Sequence, residues 1–160
     1  MCAKTKPATL LLVVLCVFKC EPMKEKSLTV LLADDDPDDC MLITDAFSTL
    51  NARLYLHVVS NGHEVLSYLA RQSSHDFPCL IVLDYNMPGL NGLQVLQQLR
   101  GDSRYHRIPK VILSTTANPH FVKACMENGA DKYLVKPVSY QELVGIAREL
   151  FEWCTTGIEQ

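Results

Sequence analysis

Four polar groups interrupt an otherwise apolar alternation along this chain: Asp34-Asp35-Asp36, Asp84, Ser114-Thr115 and Lys136-Pro137. Each follows directly on an apolar run. Carboxylates gathered in one place repel, since two charges about 4 Å apart interact by roughly 4 kcal/mol at an effective dielectric of about 20. Either some of them hold protons or a cation sits among them. All-oxygen ligation favours a hard ion such as Mg²⁺, which takes one or two carboxylates together with phosphate oxygens and keeps several waters. Lys136 offsets only part of the negative charge, and its compact ammonium suits a phosphoryl oxygen.

These groups can act together only if the fold brings the ends of the apolar runs to one place. From Leu28 onward, β-rich runs alternate with segments of helical period, and residues 28–33, 54–59, 79–83, 111–113 and 133–135 read as five strands. Asn61-Gly-His-Glu64 and Ser139-Tyr-Gln-Glu142 have capping-box spacing, Asn118-Pro119 places a cap before a first-turn proline, and Gly129 stops that helix. The runs are apolar nearly throughout, which predicts strands buried on both faces of a parallel sheet covered by helices. The expected fold is therefore α/β, a doubly wound five-stranded (βα)5 sheet. Ligands of such sheets sit beyond the carboxyl ends of the strands, where all four polar groups fall.

Taken together, Val-Leu-Leu-Ala-Asp34-Asp35-Asp36, Ile-Val-Leu-Asp84-Tyr-Asn-Met-Pro-Gly, Val-Ile-Leu-Ser114-Thr and Tyr133-Leu-Val-Lys136-Pro resemble the receiver domain of two-component response regulators, over about residues 28 to 153. Each motif alone is weak; four in order at strand ends are highly specific. The resemblance implies a CheY-like, flavodoxin-like fold with Asp84 as phosphoacceptor. It implies Mg²⁺ held by Asp35, Asp84 and the backbone carbonyl of Asn86, with Asp34 helping through a metal-bound water. Lys136 would contact Asp84 and then the phosphoryl group, and Ser114 and Tyr133 would form the switch pair. The chemistry agrees, because a carboxylate can attack phosphorus in line while cationic groups neutralise the charge on the transferred group. The implied partners are a sensor histidine kinase and a histidine phosphotransfer protein or downstream target. Such a phosphoacceptor is a signalling protein with self-catalysed phosphorylation and dephosphorylation, rather than an enzyme, and its place is the cytoplasm.

Two positions depart from the family pattern. Asn91 stands where the turn often has Asp, and Thr115 follows the switch hydroxyl where a smaller residue is common. Closer resemblance, in Asp36-Pro-Asp-Asp39, Arg107-Ile-Pro109 and Phe151-Glu-Trp153, is to stand-alone receivers paired with bacterial phytochrome kinases. Asp36, Asp38 and Asp39 read as a solvated helix start stabilised by the helix dipole. Trp153 reads as packing of the last helix, and an exposed Phe151 and Trp153 would be where a homodimer contact forms.

Rival chemistries fit less well. A phosphatase of the haloacid dehalogenase type needs D-x-D-x-T/V, whereas the fifth residue here is Asp38. An EF-hand loop starting at Asp34 fails because Asp39 replaces the turn glycine and Asp45 the terminal Glu. A pseudo-receiver that only binds proteins is the remaining alternative.

The 160 residues carry a formal charge of −3 with no run of Lys or Arg, so nucleic acid is not an expected partner. Seven scattered cysteines and five histidines lack metal-ligand spacing and read as free thiols and structural side chains. Lys4 and Lys6 precede an apolar run over 8–18 that imitates a secretory signal. The run is shorter than the roughly 17 residues a spanning helix needs, and Lys19 ends it. Residues 1–27 are read as an N-terminal extension, with Met23 as the physiological start and a membrane-surface anchor as the competing reading. Residues 28–154 are read as the receiver and 155–160 as a short tail, leaving no space for an effector domain.

Overall fold

The computed structural model describes residues 28–50 and 54–156. The readings placed on residues 1–27, including Met23 as a start, and on 157–160 lie outside the described residues. Five strands, β1 (Leu28–Ala33), β2 (Leu54–Val59), β3 (Leu80–Asp84), β4 (Lys110–Ser114) and β5 (Lys132–Val135), alternate with five helices. These are α1 (Pro37–Ser48), α2 (Gly62–Arg71), α3 (Gly92–Arg100), α4 (Pro119–Glu127) and α5 (Tyr140–Thr156). The strands form one sheet in the order β2-β1-β3-β4-β5, every pair parallel. This is the (βα)5 fold expected from the alternation.

Alternate residues of each strand point to opposite faces, and the two helical layers divide accordingly. Val30, Leu32, Leu80, Val82, Val111 and Leu113 face α1 and α5 and bury Ile43, Phe47, Leu143 and Leu150. Leu31, Ala33, Ile81, Leu83 and Ile112 face the other way and bury Val65 and Leu69 of α2, Leu96 and Leu99 of α3 and Cys125 of α4. Trp153 packs against the α1–α5 layer and lies 5.8 Å from the Lys132 ammonium, so the reading as helix packing fits it better than a free dimer contact.

Burial on both faces holds for the central strands but not for the edges, which corrects the expectation. β3 and β4 are buried throughout, whereas β2 and β5 pair on one side only and expose Tyr55, Val58 and Val135. Strand limits also move: β3 begins at Leu80 rather than at residue 79, and both Asp84 and Ser114 are last residues of strands rather than residues just beyond them. Each is drawn into the ladder by its parallel neighbour, Asp84 opposite Leu113 and Ser114 opposite Val135. α5 continues through Thr155 and Thr156, past the expected start of the tail.

The predicted helix ends are built, with differences. Asn61 accepts the Glu64 N–H at 3.0 Å, but the Glu64 carboxylate reaches back to the Ser60 N–H and the Asn61 side-chain amide rather than to the Asn61 N–H. Asn118 accepts the His120 N–H at 2.9 Å, and Gly129 closes α4 with φ of 93°, a conformation glycine adopts without penalty. Asn91 is more than a turn residue. It accepts the Gln94 N–H at 2.9 Å while the Gln94 side chain accepts the Asn91 N–H at 3.0 Å, a full capping box that starts α3.

Lys110, at the head of β4, is buried, and its ammonium donates to the Ile108 carbonyl at 2.6 Å. Burial pushes its pKa below the ordinary 10.5, an effect only partly opposed by Asp131. Because folding lowers this pKa, the contribution to stability is complete above the unfolded value and is lost as pH falls through the folded one. Urea denaturation should therefore show the protein gaining stability, relative to Lys110→Met, as pH rises toward about 10.5. Parallel stability profiles for the two proteins would contradict this.

Candidate functional site

The site forms where β1, β3 and β5 end together, because parallel pairing brings all carboxyl ends to one edge. Asp34 follows β1, its N–H donating to the Val59 carbonyl at 3.1 Å, which keeps it in line with the sheet. Its carboxylate accepts the Asp36 N–H at 3.0 Å and the Lys136 ammonium at 2.7 Å. Asp84 ends β3; its Oδ2 accepts the Asn86 N–H at 2.7 Å and its Oδ1 lies 3.1 Å from Lys136 Nζ. Lys136, one residue past β5, is held by its own N–H on the Ser114 carbonyl at 2.8 Å. Gly92 is packed against the Asp84 carbonyl so tightly that a Cβ there would lie 2.5 Å from the oxygen. A side chain at 92 would displace the acidic residue itself.

Asp34, Asp35 and Asp84 each place one carboxylate oxygen within 4.8 Å of the others, and among the described residues theirs is the one acidic, histidine or cysteine group with this geometry. Donors about 2.1 Å from a small divalent ion lie at most about 4 Å apart, so the three need close only slightly to share one. Burial pushes the Asp34 carboxyl above its ordinary range, with the hydrogen bond from Lys136 only partly opposing it. Burial likewise works against the charge on Lys136, but the carboxylates of Asp34, Asp39 and Asp84 outweigh it and hold the ammonium well above its usual pKa. Three carboxylates meet this one ammonium and Asp35 lies beside two of them, so its charge is locked in place while an excess of negative charge remains for a cation to neutralise.

Asp39 is the residue that sequence reasoning missed. It was read with Asp36 and Asp38 as a solvated helix start, yet its Oδ2 accepts from Lys136 Nζ at 2.7 Å. Asp36 does behave as read, capping α1 by accepting the N–H groups of Asp38 and Asp39. That cap fixes the first turn, and the first turn sends Asp39 inward. The signal available in the sequence was the cap at Asp36 followed three residues later by another carboxylate.

Ser114 and Tyr133, the expected switch pair, lie on neighbouring strands, Ser114 as the last residue of β4 and Tyr133 as the second of β5. Ser114 is fully buried and its Oγ accepts the Thr116 N–H at 3.4 Å. The Tyr133 hydroxyl donates to the Thr116 carbonyl at 2.8 Å, so both residues are tied to the same point of the loop after β4. Thr115 is exposed beside them. Tyr85, next to Asp84, stacks on Phe121 of α4 with ring centroids 4.8 Å apart.

The profile described as the response regulator receiver domain matches residues 30–148. The chain belongs to the receiver family of response regulators. Among solved structures, this receiver is similar to the phosphorylated cyanobacterial phytochrome response regulator RcpA, at 26% identity over 81% of this chain and 94% of that one, with a TM-score of 0.73. It is also similar to the Mn²⁺-bound form of response regulator Rcp1, at 27% identity over 81% and 96% of the two chains and a TM-score of 0.71. A probable methanogenesis regulatory protein, FilR2 of Methanothrix harundinacea, is 28% identical over 131 residues, covering 81% of this chain and 84% of that protein. Other relatives are much longer: the chain spans 7% of a peroxide stress-activated histidine kinase of Schizosaccharomyces pombe.

The receiver is thus a phosphoacceptor domain rather than an enzyme with its own turnover substrate, and its clustered carboxylates suit a divalent cation. Asp35 is exposed and free of the lysine contacts that occupy Asp34 and Asp84, so of the three carboxylates it is the one most open to a cation. Titration with Mg²⁺ should raise the melting temperature by mass action, and Asp35→Asn should need about tenfold more ion for the same shift. Superimposable titrations would remove Asp35 from the metal site.

Proposed function

We propose that this receiver takes a phosphoryl group on Asp84, in the presence of Mg²⁺, and passes the signal on by changing a protein-binding surface. The observation that carries the reading is the convergence of Asp34, Asp84 and Lys136 within hydrogen-bonding distance at the edge where β1, β3 and β5 end. Asp35, Asp84 and the Asn86 carbonyl would hold Mg²⁺, with Asp34 acting through a bound water. When bound, the ion would neutralise charge on the transferred phosphoryl group.

The chain's own residues supply the rest. An Asp84 oxygen attacks phosphorus in line, forming an acyl phosphate as the donor's bond to phosphorus breaks and its electron pair leaves with the donor. The Asn86 N–H orients the Asp84 carboxylate, and Lys136 lies close enough to follow the charge onto a phosphoryl oxygen. That oxygen then competes with Thr116 for Ser114. A Ser114 hydroxyl turned to the phosphoryl group gives up its bond from the Thr116 N–H, and the Tyr133 bond on the same residue shifts with the loop. The differential contact between the two states is the hydrogen bond to the phosphoryl group. Phe121, Val135, Val138 and Tyr140 leave apolar surface exposed around α4, β5 and α5, where that change would be read.

Relatives include histidine kinases, which supports a sensor histidine kinase as donor, with a histidine phosphotransfer protein or a target protein downstream. The likeness to phytochrome response regulators supports that type of kinase as the one to try first. No helix among the described residues is long and apolar enough to cross a membrane.

Intact-mass spectrometry after incubation with acetyl phosphate tests the reading. The protein should gain one phosphoryl group with Mg²⁺ and none without it, and Asp84→Asn should gain none. Lys136→Ala should still be labelled, more slowly, while Ser114→Ala should be labelled without adopting the switched state. Full labelling of Asp84→Asn would overturn the site; no labelling of the folded protein by an active donor would favour a receiver that only binds proteins.

A further inference from the structure

We propose that Asp39 is a positioning residue that restrains Lys136 on the α1 side of the site, away from the phosphoacceptor; this rests on Asp84 being the acceptor. A lysine ammonium has three N–H donors. Here two of them are given in hydrogen bonds, to Asp34 at 2.7 Å and to Asp39 at 2.7 Å, while Asp84 lies 3.1 Å away as an ion pair. The two shorter bonds both come from the α1 side, so the ammonium sits nearer that pair than Asp84. Movement of the ammonium toward an incoming phosphoryl oxygen stretches or exchanges one of these two hydrogen bonds.

The three partners differ in how firmly they can hold. Side-chain exposure is 2% for Asp34 and 7% for Asp84, so stripping either of its lysine contact leaves a buried carboxylate without that compensation. Asp39 is 35% exposed, and water can replace the lysine there at little cost. Asp39 is also attached differently. Asp34 is tied to the sheet by the Val59 carbonyl, whereas Asp39 rides on the first turn of α1, set by the Asp36 cap. It is the releasable arm of the three, and its grip sets how readily Lys136 moves toward the phosphoryl group.

The rate of phosphoryl uptake from acetyl phosphate with Mg²⁺ measures this in the full chain. Asp39→Asn should raise the rate by about five-fold, the scale of a ~1 kcal/mol coupling between contacting groups. The gain should vanish in the Lys136→Ala background, because the restraint acts through that ammonium. Asp38→Asn, which removes the same charge from an exposed neighbouring position, should leave the rate near that of the unmodified protein. An unchanged or slower Asp39→Asn protein would overturn the inference. So would an equal gain in the Lys136→Ala background or from Asp38→Asn, since either would mark a bulk charge effect. Normal Asp84-dependent uptake with no response at Asp39 would remove this inference alone. No uptake by the unmodified protein would remove the proposed function and this inference with it.

Discussion

One ammonium between carboxylates sets the terms for the whole site. Lys136 reaches Asp34, Asp39 and Asp84, which come from the end of β1, the first turn of α1 and the end of β3. Without it, Asp34 and Asp84 would be buried side by side with like charge, an arrangement that proteins resolve by protonation or by a cation. With it, both can remain acceptors, and an excess of negative charge still faces solvent at Asp35. The site is thereby ready for a small hard cation and for the anionic group that such a cation accompanies.

The sheet exists in the form that this cluster requires. Parallel pairing in the order β2-β1-β3-β4-β5 brings the ends of β1 and β3 side by side, at the point where the chain reverses its winding. Burial on both faces of β1, β3 and β4 makes that edge stiff, and the Asn91–Gln94 capping box anchors the loop beyond Asp84. The β4–α4 loop is the contrasting part. Thr116 is held by a long contact to Ser114 and a good hydrogen bond from Tyr133, so one exchange of partner at Ser114 is felt at a second strand. A rigid acceptor beside a loop held by few bonds is what a switch needs.

The sequence made most of this readable because the polar groups interrupt strong apolar periodicity. Asp34, Asp35, Asp84 and Lys136 could be assigned to strand ends since the runs before them are apolar, and a parallel sheet gathers strand ends on one side. Asp39 could not be assigned in this way. Its place depends on the direction in which the first turn of α1 projects, which Asp36 decides by accepting two backbone N–H groups. Reading three acidic residues as one solvated helix start averaged over a turn whose sides face different surroundings. Asn91 was legible as a turn former, but its pairing with Gln94 is a matter of helix entry. The burial of edge strands was overestimated for a similar reason: apolar composition is visible in the sequence, while pairing on one side only is a property of strand order.

By itself, then, the sequence determined the alternation of strands and helices, the family, and the residue types available for phosphoryl chemistry. Local periodicity and turn chemistry are encoded over a few residues, and four motifs in order are specific. The tertiary structure alone decided that Lys136 shares three carboxylates, that Ser114 and Tyr133 meet through Thr116, and that Gly92 backs directly onto Asp84. Those are contacts between segments up to 102 residues apart. Their geometry follows from sheet order, helix direction and packing together, and no local pattern contains it.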